Sequence, residues 1–130
     1  MAKILVVDDL AENRELLVAL IRHGGHQPLE AADGAQGLAL VRTARPDLVI
    51  SDILMPTMDG YEFVRQLRAD PVCAATEVIF YTAHYLEREA RNLAKTCGVL
   101  RVLVKPCEPD EILLAIAQSL AHIPVSQPLS

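Results

Sequence analysis

The feature that most restricts the fold is a change of apolar period repeated along the whole chain. Short continuous apolar runs, such as Ile4-Leu5-Val6-Val7, alternate with segments whose apolar residues recur every three or four positions. Continuous runs suit strands buried on both faces, and the longer spacing suits helices with one buried stripe. Strands are expected at Lys3–Asp8, Gln27–Ala31, Asp47–Ser51, Glu77–Tyr81 and Leu100–Val104. Helices are expected at Ala11–His23, from a cap at Asp33 to Thr43, and at Tyr61–Ala69, Ala83–Lys95 and Pro109–His122. Leu16, Leu17, Leu20 and Ile21 form the expected inward stripe of the first helix, which Gly24-Gly25 stops. Five strands alternating with five helices predict an α/β fold, a doubly wound five-stranded parallel sheet. Right-handed crossovers then bring every strand's C-terminal end to one edge, where such sheets bind ligands.

Residues 1–122 read as one domain, and residues 123–130, with Pro124, Pro128 and two serines, as a C-terminal tail or linker. The 130 residues are 52% apolar and 22% charged, enough to bury a core and too apolar for disorder. A net charge of −5 argues against direct contact with nucleic acid or an anionic membrane surface. No apolar run approaches the roughly 20 residues of a membrane-spanning helix. The N-terminus lacks the features of a secretory signal. Cys73, Cys97 and Cys107 are odd in number and lack metal-ligand spacing, so they read as reduced thiols of a cytoplasmic protein.

The strand ends deliver an unusual set of side chains. The first strand supplies Asp8 and Asp9, the third Asp52, the fourth Thr82 and the fifth Lys105. Either Asp8 or Asp9 could serve as a helix cap, but adjacent carboxylates call for more than capping. Two carboxylates 4 Å apart repel by about 4 kcal/mol at an effective dielectric near 20. Three in one cleft need raised pKa values or a cation, and Mg²⁺ suits a small cluster of hard oxygen donors. A divalent cation beside a carboxylate nucleophile, a lysine and a hydroxyl is also the equipment of phosphoryl transfer. That reaction depends on positioning and on positive charge around the phosphoryl oxygens. Asp52 would attack phosphorus to form an acyl phosphate, with Lys105 and Thr82 contacting phosphoryl oxygens.

Taken together, Asp8-Asp9, Asp52 with Met55-Pro56 and Asp59-Gly60, Thr82-Ala83 and Lys105-Pro106 resemble the receiver domain of two-component response regulators. The resemblance covers residues 3–121. It implies a flavodoxin-like, CheY-like strand order 2-1-3-4-5 and a phosphoacceptor at Asp52, loaded from a phosphohistidine. It implies Mg²⁺ held by Asp8, Asp9, Asp52 and the backbone carbonyl of Leu54, phosphate contact by Lys105 and a cis Lys105–Pro106 bond. The implied donor is a histidine kinase or a histidine phosphotransfer protein. Homodimerisation through the last strands and helices is a further implication. Such a domain is a phosphorylatable switch that catalyses its own phosphorylation and dephosphorylation rather than an enzyme acting on other substrates. It would either stand alone or belong to a larger response regulator or hybrid sensor kinase, and Asn13-Arg14 resembles receivers attached to hybrid sensor kinases.

One position departs from the usual receiver pattern. Three residues before Lys105, where many receivers carry a Tyr or Phe that swings inward, this chain has Val102. A β-branched side chain has little rotational reach, so coupling is expected to be weaker or to run through Tyr81 or Tyr85. Leu54 and His84 flank the expected path of water to an acyl phosphate, and the apolar Leu54 predicts slow autodephosphorylation. The charged stretch 85–91 reads as a solvated helix surface, and His23, His26 and His122 as surface residues without a role in the site.

Two other functions compete. A small Mg²⁺-dependent aspartyl-phosphate phosphatase would need a second aspartate where Leu54 stands, and a cap domain. A flavodoxin-like cofactor carrier would need a phosphate-cradling loop where Asp8-Asp9 stand.

Overall fold

The computed structural model describes residues 2–83 and 87–122. Five strands, β1 (Lys3–Val7), β2 (Gln27–Ala31), β3 (Leu48–Ser51), β4 (Glu77–Thr82) and β5 (Arg101–Val104), alternate with five helices. The helices are α1 (Ala11–His23), α2 (Gly34–Ala44), α3 (Gly60–Ala69), α4 (Glu87–Thr96) and α5 (Pro109–His122). The strands form one parallel sheet in the order β2-β1-β3-β4-β5, which bears out the expected architecture.

Alternation along each strand sends side chains to two separate apolar layers. Leu5, Val7, Val49, Val78, Phe80 and Val102 pack on the side covered by α2, α3 and α4. Ile4, Val6, Ile50, Ile79 and Tyr81 pack on the other side, with Leu17 and Ile21 of α1 and Ile112 and Ile116 of α5. β1 and β3 are buried along nearly their whole length, which is why they read as unbroken apolar runs. Pro28 is tolerated because β2 is an edge strand that pairs only with β1.

Local chemistry fixes the helix ends. Asp33 caps α2, its carboxylate accepting the Gln36 N–H at 2.9 Å, and Asp59 caps α3 through the Glu62 N–H at 2.8 Å. α2 ends at Arg45 in the left-handed region (φ 50°), followed by Pro46, and Gly25 (φ 84°) turns the chain after α1. Gly60 opens α3 where only a hydrogen fits, since a Cβ there would collide with the Asp52 carbonyl oxygen.

The expected stripe of α1 needs one correction. Leu16 is 44% exposed, and Val18 is buried with Leu17 and Ile21. The helix turns about 100° per residue, so Leu16 and Val18 fall on opposite sides of Leu17, and the buried stripe includes Val18 in place of Leu16. His26 also has a structural role, its Nδ1 accepting the Ala2 N–H at 3.0 Å. His84 and Tyr85, the start expected for the fourth helix at Ala83–Lys95, and the tail 123–130 lie outside the described residues or run into them.

Candidate functional site

The loops that leave β1, β3 and β5 meet at the C-terminal edge of the sheet. Backbone pairing carries on just past the strands: the Asp8 N–H donates to Ala31 O at 3.1 Å, and the Asp52 N–H to Val7 O at 3.0 Å. The two residues are thereby fixed side by side, 1% exposed each. Asp9 follows toward solvent, and one oxygen from each of Asp8, Asp9 and Asp52 lies within 4.8 Å of the others. On the far side, the Lys105 N–H donates to Thr82 O at 2.8 Å, continuing the β4–β5 ladder by one step. The Lys105–Pro106 peptide is cis, as the family resemblance implied.

Lys105 reaches back across the edge. Its ammonium lies 3.3 Å from Asp8 Oδ2 and 3.3 Å from Asp52 Oδ2, linking residues 97 and 53 positions away. Other contacts orient the acids. Asp8 Oδ1 accepts the Leu10 N–H at 2.9 Å, Asp8 Oδ2 also accepts from the Asn13 amide at 3.3 Å, and Asp52 Oδ1 accepts the Ile53 N–H at 2.7 Å. Three carboxylates against one ammonium leave two negative charges without a cation inside the cluster. An all-oxygen donor set of that charge fits a hard divalent cation such as Mg²⁺.

Neither acid is spent as an ordinary helix cap. The N-cap of α1 is Leu10, which makes no side-chain capping bond. Asp59, by contrast, is occupied in capping α3. Thr82 ends β4 and is fully buried. The Leu54 side chain is 50% exposed, in a loop fastened by the Gly60 N–H donating to Ile53 O at 2.6 Å.

Three further residues stand against the site in ways that their spacing in the sequence does not mark. Asn13 stands in the first turn of α1, and Arg14 beside it donates to the Asp8 carbonyl at 2.7 Å and pairs with Glu30 at 3.2 Å. Tyr81 lies under the lysine, its ring centroid 4.9 Å from the Lys105 ammonium. Burial, with smaller contributions from Cys107 and Asp8, pushes the Tyr81 phenol above its ordinary value. Tyr81 packs in the α1/α5 layer and Val102 in the α2/α3/α4 layer, so Tyr81 cannot stand in for the missing aromatic at Val102. The strand's alternation puts the two on opposite faces of the sheet.

Comparison with known proteins points the same way. Residues 4–117 match the family model described as Response regulator receiver domain. The chain is 37% identical over 121 residues to protein PilH of Pseudomonas aeruginosa, an alignment spanning 93% of this chain and 99% of PilH. It is 37% identical over 118 residues to Sporulation initiation phosphotransferase F of Bacillus subtilis, covering 91% of this chain and 93% of that protein. The receiver domain of a sensor histidine kinase from Pseudomonas aeruginosa aligns with a TM-score of 0.83 and 27% identity, over 92% of this chain and 98% of that one. That neighbour's structure has a magnesium ion coordinated in its active site cleft.

Proposed function

The chain belongs to the response regulator receiver domain family, and on that premise we propose that it is a phosphorylatable switch with Asp52 as phosphoacceptor. An Asp52 carboxylate oxygen attacks the phosphorus of a phosphohistidine. A P–O bond forms, the P–N bond breaks, and the imidazole leaves. Asp8, Asp9 and Asp52, with the Leu54 carbonyl, would hold Mg²⁺, and the close grouping of the three carboxylates supports this. When bound, the ion supplies positive charge opposite the incoming phosphoryl oxygens. Lys105 transfers its contact from the carboxylates to a phosphoryl oxygen, and the Thr82 hydroxyl donates to another.

The observation that carries this reading is the Lys105 ammonium shared by Asp8 and Asp52 at 3.3 Å each, on strands distant in sequence. No ordinary structural need brings a largely buried lysine to two buried acids at the ligand-binding edge of such a sheet. The phosphatase alternative is left without support. Leu54 occupies the place of its second aspartate, and the family match covers nearly the whole chain.

The phosphoryl donor is a histidine kinase or a histidine phosphotransfer protein. The response is expected on the groove between α4, β5 and α5, lined by Arg91, Leu100, Val102, Leu103 and Leu114. With valine at position 102, that response is weaker than an aromatic swing would give, and homodimerisation is expected through the same elements. Among the described residues no helix is long and apolar enough to cross a membrane. A cytoplasmic location without direct nucleic-acid contact is the reading that suits a switch of this kind.

Incubation with acetyl phosphate and Mg²⁺, followed by intact-protein mass measurement, tests the function. The wild type should gain one phosphoryl group, and neither Asp52→Asn nor wild type in chelator should gain any. A wild type that takes up no phosphoryl group overturns the proposal.

A further inference from the structure

We propose that Tyr81 is a positioning residue for phosphoryl transfer, its ring face holding the Lys105 ammonium at the acidic pocket. This rests on the receiver reading given above. The separation of 4.9 Å from ammonium to ring centroid is within cation–π range. Both partners are screened from water, with Tyr81 4% exposed and the Lys105 side chain 12% exposed. Such contacts are stronger when desolvated.

The backbone fixes the pair. Tyr81 lies opposite Leu103 in the β4–β5 ladder, and the next rung is closed by the Lys105 N–H on Thr82 O at 2.8 Å. The ring is buried in the apolar layer that includes Ile4, Ile50, Ile79 and Ile112. It therefore presents a fixed surface to a flexible four-carbon stem, which otherwise has much rotamer freedom to lose.

The carboxylates alone cannot keep the lysine in place through the reaction. Their pull on the ammonium falls once a divalent cation shares their charge. The quadrupole of the ring is unaffected by what binds above it. A lysine held by both is already placed when a phosphoryl oxygen arrives, which is electrostatic preorganisation. The hydroxyl of Tyr81 has no part in this, so phenylalanine should serve as well.

Two readouts test the proposal in the full chain. In metal-free protein, the NMR signals of the Lys105 ε-methylene should be shifted upfield by the ring in wild type and Tyr81→Phe. They should move to ordinary positions in Tyr81→Leu and Tyr81→Met. With acetyl phosphate and Mg²⁺, the Leu and Met variants should lose about threefold to thirtyfold in maximal phosphorylation rate. Their half-saturating Mg²⁺ concentration should change much less, and Tyr81→Phe should keep the wild-type rate. If Leu fails to fold, Met decides. A Leu or Met variant with wild-type rate, or a Phe variant as slow as Leu, overturns the proposal. A wild type that takes no phosphoryl group sinks the receiver reading instead, while the methylene signals still decide whether the ring holds the lysine.

Discussion

Lys105 and Asp52 face each other across the sheet edge at 3.3 Å, and the same ammonium is 3.3 Å from Asp8. In the metal-free protein the lysine is therefore the internal counter-ion of the acidic cluster. A divalent cation entering the cluster meets repulsion from it. Lys105→Met should raise Mg²⁺ affinity by roughly threefold to tenfold, since a full charge nearby is removed but solvent screens much of its effect. Calorimetric titration measures this. An affinity that stays level or falls would show that the ammonium does not oppose the metal.

The same geometry sets the sign for Asp52→Asn. At an effective dielectric near 20, the Lys105 contact attracts by about 5 kcal/mol, and the two other carboxylates repel by at least about 3.5 kcal/mol each. The remaining repulsion of about 2 kcal/mol is reduced by solvent near Asp9, leaving about 1 kcal/mol. Asp52→Asn should accordingly be more stable than wild type without metal, by a few degrees in Tm. It should also gain less from added Mg²⁺ than wild type does. Thermal unfolding with chelator and with Mg²⁺ checks both points, and a destabilised Asn variant would count against a repulsive cluster.

Much of this was legible in the sequence, for identifiable reasons. Ile4–Val7 and Val49-Ile50 are continuous apolar runs because their strands lie inside the sheet, and Asp33 announced a cap that the structure contains. The convergence of Asp8, Asp52 and Lys105 followed from strand ends sharing one edge. Strand order did not follow from periodicity and came from the family pattern. The exposure of Leu16 is not legible, because a pattern of leucines gives the stripe's period but not its phase. The contacts of Asn13 with Asp8 and of Tyr81 with Lys105 are not legible in the sequence, because they depend on how side chains reach across elements, which spacing does not encode.

Gly60 offers a test in which two principles oppose each other. A helix normally gains up to about 1 kcal/mol when alanine replaces glycine. Here the new methyl would meet the Asp52 carbonyl oxygen, with Ile53 Cα at 2.9 Å and the Asp52 carbonyl carbon at 3.0 Å. These are backbone atoms of the site loop and cannot swing aside. Gly60→Ala should cost about 1–3 kcal/mol in urea unfolding, and it should slow phosphorylation by moving Asp52. A neutral or stabilised variant would show that the loop yields easily.

Leu54 stands two residues after Asp52 with its side chain 50% exposed. An apolar group there cannot hydrogen-bond the water that would attack an acyl phosphate, whereas an amide can orient one. Leu54→Asn should shorten the phosphoryl half-life severalfold with little change in stability, because the leucine is half in solvent. Following loss of the phosphoryl mass with time measures this. Equal half-lives would remove Leu54 from the control of dephosphorylation.

The three thiols give a pH-dependent prediction away from the site. Burial pushes Cys73, Cys97 and Cys107 above the ordinary thiol value, with Asp70 adding to the effect at Cys73 and Arg68 opposing it at Cys97. A raised thiol pKa means that folding favours the protonated form. The stability this contributes is intact below the unfolded value of about 8.5 and is lost as pH rises through the folded values. At pH 8 the native protein should therefore react with iodoacetamide much more slowly than the urea-unfolded chain does. Its urea midpoint should fall between pH 7 and pH 9.5, and a variant with alanine at all three positions should fall less over the same range. Rapid native alkylation, or equal declines in the two proteins, would show that the thiols titrate freely.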